Sequence, residues 1–114
     1  MTKVPIRLRK RAEFLFVYGG EKRIGPFFLL KMRKRPTNPF HPPRFGFTVT
    51  RKNGKAVLRN RIKRRLQEAV RIVQENLESG TDYVVVAHSS VLKVQFRHLV
   101  KELKRRLQKK VKKE

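Results

Sequence analysis

The sequence predicts one small α+β domain with the element order helix, strand, strand, helix, strand, helix. The 114 residues fit a single domain, and the hydrophobic share of 39% is high enough for a folded core. Segments with helical periodicity also alternate with segments of strand character. We therefore treat 1–114 as one domain, with 1–8 and 109–114 as candidates for flexible ends.

The first half of the chain predicts one helix and two strands. Residues 9–18 (RKRAEFLFVY) are typical of a short helix that ends at a Gly-Gly pair. Residues 26–35 (PFFLLKMRKR) have strand character, and the proline-rich residues 36–43 predict a loop. Residues 44–52 (RFGFTVTRK) alternate between large apolar and small or polar side chains, which predicts a strand with one face in the core.

The second half begins with a turn signal at Asn53 and Gly54, after which an amphipathic helix is predicted. On a helical wheel its apolar side consists of Leu58, Ile62, Leu66, Ala69 and Val73. Its other side consists of Arg59, Asn60, Lys63, Arg64 and Gln67. The segment DYVVVAHS then predicts a largely buried strand, and Phe96, Leu103 and Leu107 recur at helical spacing in a last helix.

The charge of the chain indicates a polyanionic partner. There are 31 Lys and Arg residues against 8 Asp and Glu, so the net charge is +23, well beyond what solubility requires. Nucleic acid is the leading candidate, because each phosphate that Lys or Arg neutralises also releases a condensed counterion. An anionic membrane surface is the second candidate.

Several classes of protein are disfavoured by composition. The absence of cysteine excludes disulfides, thiolate metal sites and cysteine nucleophiles. No apolar run approaches the roughly 20 residues of a membrane span, and the N-terminus lacks the hydrophobic region of a secretion signal. We therefore expect a soluble, cytoplasmic protein.

The sequence shows no catalytic constellation. A metal-dependent nuclease needs several converging carboxylates, yet Asp82 is the single aspartate. Glu68, Glu75 and Glu78 lie among basic residues of one helix, where surface ion pairs explain them best. The three histidines are far apart in the sequence, so an acid–base pair among them stays open. We predict no catalytic residue and no metal ligand in this chain.

Residues 50–70, TRKNGKAVLRNRIKRRLQEAV, closely resemble the signature of the bacterial ribonuclease P protein component. This family provides the small basic subunit of the ribozyme that trims the 5′ leader from precursor tRNA. The resemblance rests on Arg51, Lys52, Gly54, Ala56, Val57, Arg59, Asn60, Arg61, Ile62, Lys63 and Arg64. RLRKRAEFLFVY and DYVVVAHSS resemble the family's first helix and the strand after the signature helix, so nearly the whole chain is covered.

The resemblance implies a fold like the second domain of ribosomal protein S5, ordered αββαβα with room for one further short strand. It also implies a left-handed βαβ crossover through the basic helix. The function implied is that of a ribonuclease P subunit, which binds the catalytic RNA and the precursor tRNA leader to promote removal of the leader. Catalysis, with Mg²⁺, is then the work of the RNA, and neither a membrane nor an obligate protein partner is required.

Two groups of site residues follow from the resemblance. The group expected to bind the catalytic RNA is Arg51, Lys52, Lys55, Arg59, Asn60, Arg61, Lys63, Arg64 and Gln67. The group expected to line a cleft for the leader is Phe14, Tyr18, Lys31, Thr48, Thr50 and Lys52. Guanidinium groups can bind phosphates in pairs, and aromatic residues four apart on a helix can stack on unpaired bases. Core packing of the two aromatics and a merely solvated charged helix remain the alternatives.

Two other functions stay open at this point. A ribosomal or other structural RNA-binding protein of the same fold would carry a similar charge. The signature helix together with the aromatic first helix favours ribonuclease P over it. A membrane-active or calmodulin-binding segment in the last helix is the other possibility, although its apolar stripe is explained more simply by packing onto the domain.

Overall fold

The computed structural model describes residues 6–36, 41–49 and 54–108, which form five strands and three α-helices. The strands are β1 (Ile6–Arg7), β2 (Glu21–Ile24), β3 (Phe28–Lys34), β4 (Arg44–Val49) and β5 (Thr81–Ala87). The helices are α1 (Arg11–Tyr18), α2 (Ala56–Ile72) and α3 (Phe96–Gln108). Short 3₁₀ turns follow α2 at Gln74–Asn76 and β5 at Ser89–Leu92. The predicted α+β class and order of six elements are confirmed, and β1 and β2 are added to them.

The strands form one mixed sheet in the order β1-β4-β5-β3-β2. Strands β4 and β5 are parallel neighbours, with Phe45 opposite Tyr83, and α2 connects them. Strand β3 runs antiparallel to both β5 and β2. The expected βαβ unit through the basic helix therefore consists of β4, α2 and β5. Helix α2 lies beside β4, the strand that precedes it.

Helices cover both faces of the sheet. On β5, Val85 and Ala87 pack in the main core, which also contains buried side chains of α2 and α3. Val84 and Val86 alternate with these two residues along the strand and point to the opposite face, where they pack with Val17 of α1. The sheet is thus the middle layer, with α1 on one side and α2 and α3 on the other.

The N-terminal part of the described chain belongs to the sheet. Ile6 and Arg7 pair in parallel with Arg44 and Phe45 of β4. The Leu8 N–H donates to the Phe45 carbonyl at 2.9 Å, and the Leu8 side chain is buried. The candidate flexible end therefore contains, at positions 6–8, a strand whose backbone groups are satisfied by β4. Its remaining residues, 1–5, and the C-terminal candidate, 109–114, lie outside the described residues.

Helix α2 packs as predicted except in its first turn. Four of the five predicted core residues, Ile62, Leu66, Ala69 and Val73, are buried. The fifth, Leu58, is 37% exposed, which corrects that prediction. Its Cδ1 would lie 2.9 Å from a Cβ on Gly54, so Leu58 covers the preceding turn and does not reach the core. Gly54 has a φ of 116°, in the region that favours glycine, and this turn sets the start of α2.

A buried ionic network fixes the strands relative to α1. The fully buried carboxylate of Asp82 accepts hydrogen bonds from Arg35 and from Arg44, the latter at 2.9 Å from Nε and 2.6 Å from Nη2. Arg44 Nη1 also donates to Glu13 of α1 at 3.0 Å. The hydrogen bond to Asp82 is the main reason that the pKa of Arg44 is raised. The single aspartate is therefore a structural partner of two arginines that link β3, β4, β5 and α1.

Candidate RNA interface

The predicted RNA-binding residues that the structure describes form what we call the α2 basic face: Lys55, Arg59, Asn60, Arg61, Lys63, Arg64 and Gln67. Lys55, Asn60, Arg61 and Arg64 are exposed, and the other three are half-buried. Arg51 and Lys52, predicted for the same role, lie outside the described residues, as does Thr50. The α2 basic face is thus accessible over most of its length, while Lys63 and Gln67 lie at its border with β4.

The cations of the α2 basic face have no carboxylate partner within the described ranges. Some arginines elsewhere are paired with carboxylates, as Arg71 is with Glu68 and Arg106 with Glu102. Arg59 Nε instead donates to the carbonyl of Gly54 at 3.2 Å, a contact that orients the side chain without neutralising it. The positive charge of this face therefore remains available to an external anion.

The position of these cations along α2 also points to an external partner. The first turn of α2 contains no acidic residue, and Lys55 occupies the N-cap position without a capping side-chain hydrogen bond. A helix N-terminus carries a partial positive charge, so basic side chains there are unfavourable for the isolated helix. Such a local conflict is expected at functional sites, and a phosphate placed here would relieve it.

The side chains predicted for the leader cleft meet on the α1 side of the sheet. The Tyr18 hydroxyl lies 3.1 Å from Thr48 Oγ1, and Lys31 Nζ lies 4.4 Å from the centroid of the Tyr18 ring. These residues come from α1, β4 and β3, and the sheet brings them together. One face of the Tyr18 ring is therefore covered by an ammonium group, and the side chain as a whole is 37% exposed.

A groove of about 420 Å³ opens beside this group. Its lining residues are Arg11, Phe14, Leu15, Tyr18, Phe47, Thr48, Val49 and Lys63. Because Lys63 also belongs to the α2 basic face, the two predicted sites adjoin at the edge of β4. Arg11 and Leu15 were not predicted, because their spacing of four residues places them on one helix face without showing that this face is accessible.

The Phe14 side chain packs partly in the core on the α1 side of the sheet. It is half-buried against the cluster of Leu8, Val17 and Val84. A Cβ on Gly46 of β4 would lie only 2.7 Å from Phe14 Cζ, so the ring packs directly on the strand backbone. Phe14 therefore forms a wall of the groove, whereas Tyr18 and the half-exposed Leu15 present more of their surface to it.

The family model of ribonuclease P matches residues 3–111 of this chain. The chain belongs to the ribonuclease P protein family. The ribonuclease P protein component of Bartonella quintana (strain Toulouse) is 56% identical over 115 aligned positions, which span 96% of this chain and 86% of that protein. Family membership confirms the predicted function as the protein subunit of an endoribonuclease of tRNA processing that works with an RNA component.

Solved ribonuclease P proteins confirm the fold. The protein from Thermotoga maritima superposes with a TM-score of 0.73 at 30% identity, over 85% of this chain and 90% of that one. The Staphylococcus aureus protein gives a TM-score of 0.75 at 25% identity, over 91% and 94% of the two chains. Similarity at this level over most of both chains favours ribonuclease P over the alternative of another structural RNA-binding protein.

Five described carboxylates of this ribonuclease P protein pair with arginines of the same chain. In the described ranges, no three residues among His, Asp and Glu come together in a way that could hold a metal ion. Glu68 pairs with Arg71 on the surface of α2, as predicted, and Asp82 is enclosed by arginines. No helix within the described residues is long and apolar enough to cross a membrane.

Proposed function

We propose that this ribonuclease P protein binds the catalytic RNA through the α2 basic face and the single-stranded leader of precursor tRNA in the groove beside Tyr18. The observation that carries the proposal is the unopposed charge of the α2 basic face beside a groove with exposed aromatic and aliphatic side chains. Arg51, Lys52 and Thr50, outside the described residues, are kept in the proposal on the strength of the signature.

Binding of the catalytic RNA would rest mainly on phosphates. Arg59, Arg61 and Arg64 offer planar guanidinium forks that can bind phosphate oxygens in pairs, and Lys63 offers a mobile point charge. Asn60 adds both a donor and an acceptor, and it is exposed on the first turns of α2. These contacts fix position and orientation on a folded RNA and carry little sequence information by themselves.

The groove suits a single strand of variable sequence. Tyr18 keeps one ring face for a base, and Lys31 on the other face places a positive charge where a neighbouring phosphate can pair with it. The contact with Thr48 fixes the orientation of the phenol. Stacking and backbone contacts of this kind accept any base, because every base has an aromatic face.

Cleavage would be performed by the RNA with Mg²⁺ bound to it. The protein would lower the repulsion between the catalytic RNA and its substrate, since its cations replace condensed counterions along both strands. The cytoplasmic location stays a prediction from the sequence.

Reconstitution tests the proposal. Precursor tRNA would be incubated at low salt with Mg²⁺ and the catalytic RNA, with and without this protein. We expect the protein to raise precursor affinity and the cleavage rate, and to cleave nothing without the RNA. Hydrolysis of precursor tRNA by the protein alone, or no effect on the RNA-catalysed reaction, would refute the proposal.

Tyr18→Ala tests the leader half of the proposal in the same assay. Loss of one stacking platform should weaken the holoenzyme's affinity for precursor tRNA by about 5-fold or more, with little change for mature tRNA. Tyr18→Phe keeps the ring and should retain most of the affinity. Ile24→Ala, at an exposed apolar residue of β2 that does not line the groove, is the matched control. Equal losses for precursor and mature tRNA would remove Tyr18 from the leader site.

A further inference from the structure

A second cavity, of about 380 Å³, lies on the other side of β4, against the C-terminal half of α2. Phe45, Phe47 and Val70 form its apolar floor, and Arg7, Gln67, Arg71 and Gln74 surround it. We call it the β4-α2 pocket. Its volume falls in the range of about 300 to 1,000 Å³ that is usual for small-ligand sites. Two of its residues belong to the sites described above. Gln67 is part of the α2 basic face, and Phe47 also lines the groove.

The floor of the β4-α2 pocket is suited to a planar ring. The Phe45 and Phe47 rings lie 5.3 Å apart between centroids and are tilted by 40°. Phe45 and Val70 are buried, whereas Phe47 is half-buried. Strand β1 pairs only with Arg44 and Phe45, so Phe47 lies on the part of β4 beyond the end of β1. An aromatic side chain with accessible surface at such an edge is a stacking platform.

The rim offers the hydrogen-bonding groups that recognise the edge of a base. The Gln67 amide is oriented so that both its oxygen and its nitrogen find suitable partners. In this orientation the carbonyl oxygen accepts hydrogen bonds from Arg7 Nη1 at 2.7 Å and Nη2 at 3.2 Å. This contact fixes the amide and leaves its NH₂ as a donor. Gln74 adds a second amide, and the 65% exposed side chain of Arg71 keeps donors in reach of solvent although it pairs with Glu68.

Charge favours a nucleic acid in the β4-α2 pocket over a peptide or an apolar ligand. Arg59, Lys63, Gln67 and Arg71 are spaced four residues apart, so they form one stripe along α2. The stripe begins in the α2 basic face and ends at the rim of the pocket. An RNA held by the first part of this stripe would therefore pass directly beside the pocket.

We propose that the β4-α2 pocket receives one unpaired base of the catalytic RNA, stacked on Phe47 and hydrogen-bonded by Gln67 and Gln74. The inference rests on the proposed binding of catalytic RNA to α2. The catalytic RNA is favoured over the leader as the occupant, because most of the rim belongs to α2. Helix α2 lies on the opposite side of the sheet from Tyr18 and Lys31. The site would add base recognition to an interface that otherwise consists of phosphate contacts.

Cross-linking locates the occupant directly. A photoreactive phenylalanine analogue would replace Arg71, whose side chain is 65% exposed at the rim, and the holoenzyme with bound precursor tRNA would be irradiated and the cross-linked nucleotide mapped. We expect a cross-link to an unpaired nucleotide of the catalytic RNA. The same analogue at Gln108, an exposed position on α3, is the control and should not give that product. A cross-link to the leader, to a paired segment or to nothing would overturn the proposal.

Filling the pocket provides an independent test. Gln74→Trp places an indole over the floor from the rim and leaves the buried core side chains unchanged. It should raise the Kd for the catalytic RNA about 5-fold or more, while Gln108→Trp should not. An unchanged Kd for Gln74→Trp, with the fold intact by circular dichroism, would overturn the proposal. If instead the wild-type protein fails to bind the catalytic RNA, the proposed function itself fails, so the two failures are distinguishable.

Discussion

Glu13 shows how one carboxylate can set the start of a helix. Its Oε1 accepts hydrogen bonds from the backbone N–H groups of Arg9 at 2.8 Å and Lys10 at 2.9 Å. Helix α1 begins at Arg11 and not at position 9 as predicted, because Lys10 is extended, with φ −93° and ψ 144°, and serves as the N-cap that these hydrogen bonds stabilise. The hydrogen bond from Lys10, followed by that from Arg9, holds the pKa of Glu13 below its ordinary value of 4.5.

The lowered pKa of Glu13 predicts a pH-dependent contribution to stability. A depressed folded-state pKa stabilises the fold at pH values above the ordinary pKa, and this contribution is lost as the pH falls through the folded value. Glu13→Gln should therefore lower the free energy of unfolding by about 1 kcal/mol at pH 7 and by progressively less in acid. Urea unfolding between pH 3 and 7 measures this, with exposed Glu75→Gln as the control. A difference that is constant across this pH range would contradict the assignment.

Individual site residues were only partly predictable from the sequence. The resemblance located Tyr18, Lys31 and Thr48, which the structure brings into contact. Periodicity alone could not have separated Leu15 from its neighbours, because α1 is apolar or aromatic nearly all round its last two turns. Which of these side chains reaches solvent depends on how the helix is rotated on the sheet, and that is a tertiary property.

The rotation of α1 on the sheet depends on Gly46 of β4. A Cβ at this position would meet Phe14 Cζ at 2.7 Å, Phe14 Cε2 at 2.8 Å and Leu8 Cβ at 3.1 Å. The sequence showed Gly46 as one of the small residues that alternate with large ones along β4. Only the structure shows that the missing side chain makes room for an aromatic ring of α1.

Gly46→Ala should therefore disturb both packing and the leader groove. We expect a loss of about 1 to 3 kcal/mol in the free energy of unfolding, because a rigid strand and a packed ring leave little room to relax. Affinity for precursor tRNA should fall as well, since Phe14 lines the groove. At Gly19, φ is −83° and the nearest atom is the flexible Arg33 Nη1, so Gly19→Ala is the matched control. Equal stability of the two variants in urea unfolding would contradict this account of α1 packing.

Long, strongly patterned elements were predictable and short ones were not. Helices α2 and α3 and strands β4 and β5 carry enough residues for periodicity to be read. Strands β1 and β2 span two and four residues, too few for a pattern, and they exist because β4 and β3 provide edges for them. The predicted burial of Leu58 was wrong because its side chain covers the turn at Gly54, which a helical wheel does not take into account.

Among the described residues, most acidic side chains that form ion pairs lie away from the α2 basic face, and Glu68, one turn from Arg64, is paired with Arg71. Asp82 and Glu13 neutralise arginines inside the fold, and Glu68 and Glu102 pair with arginines at the far end of α2 and on α3. The described cations of the α2 basic face consequently have no carboxylate partner. Composition predicted a polyanionic partner, but only the distribution of ion pairs shows which surface is left to bind it.

The central claim is that the α2 basic face binds the phosphates of the catalytic RNA. The most direct measurement is the salt dependence of the Kd for that RNA, compared between the wild type and Arg59→Ala combined with Arg64→Ala. Arg97→Ala combined with Arg105→Ala removes the same charge from α3 and serves as the control. We expect the slope of log Kd against log salt to fall by about two units in the α2 variant and to change little in the control. An unchanged slope in the α2 variant, or an equal change in both, would contradict the claim.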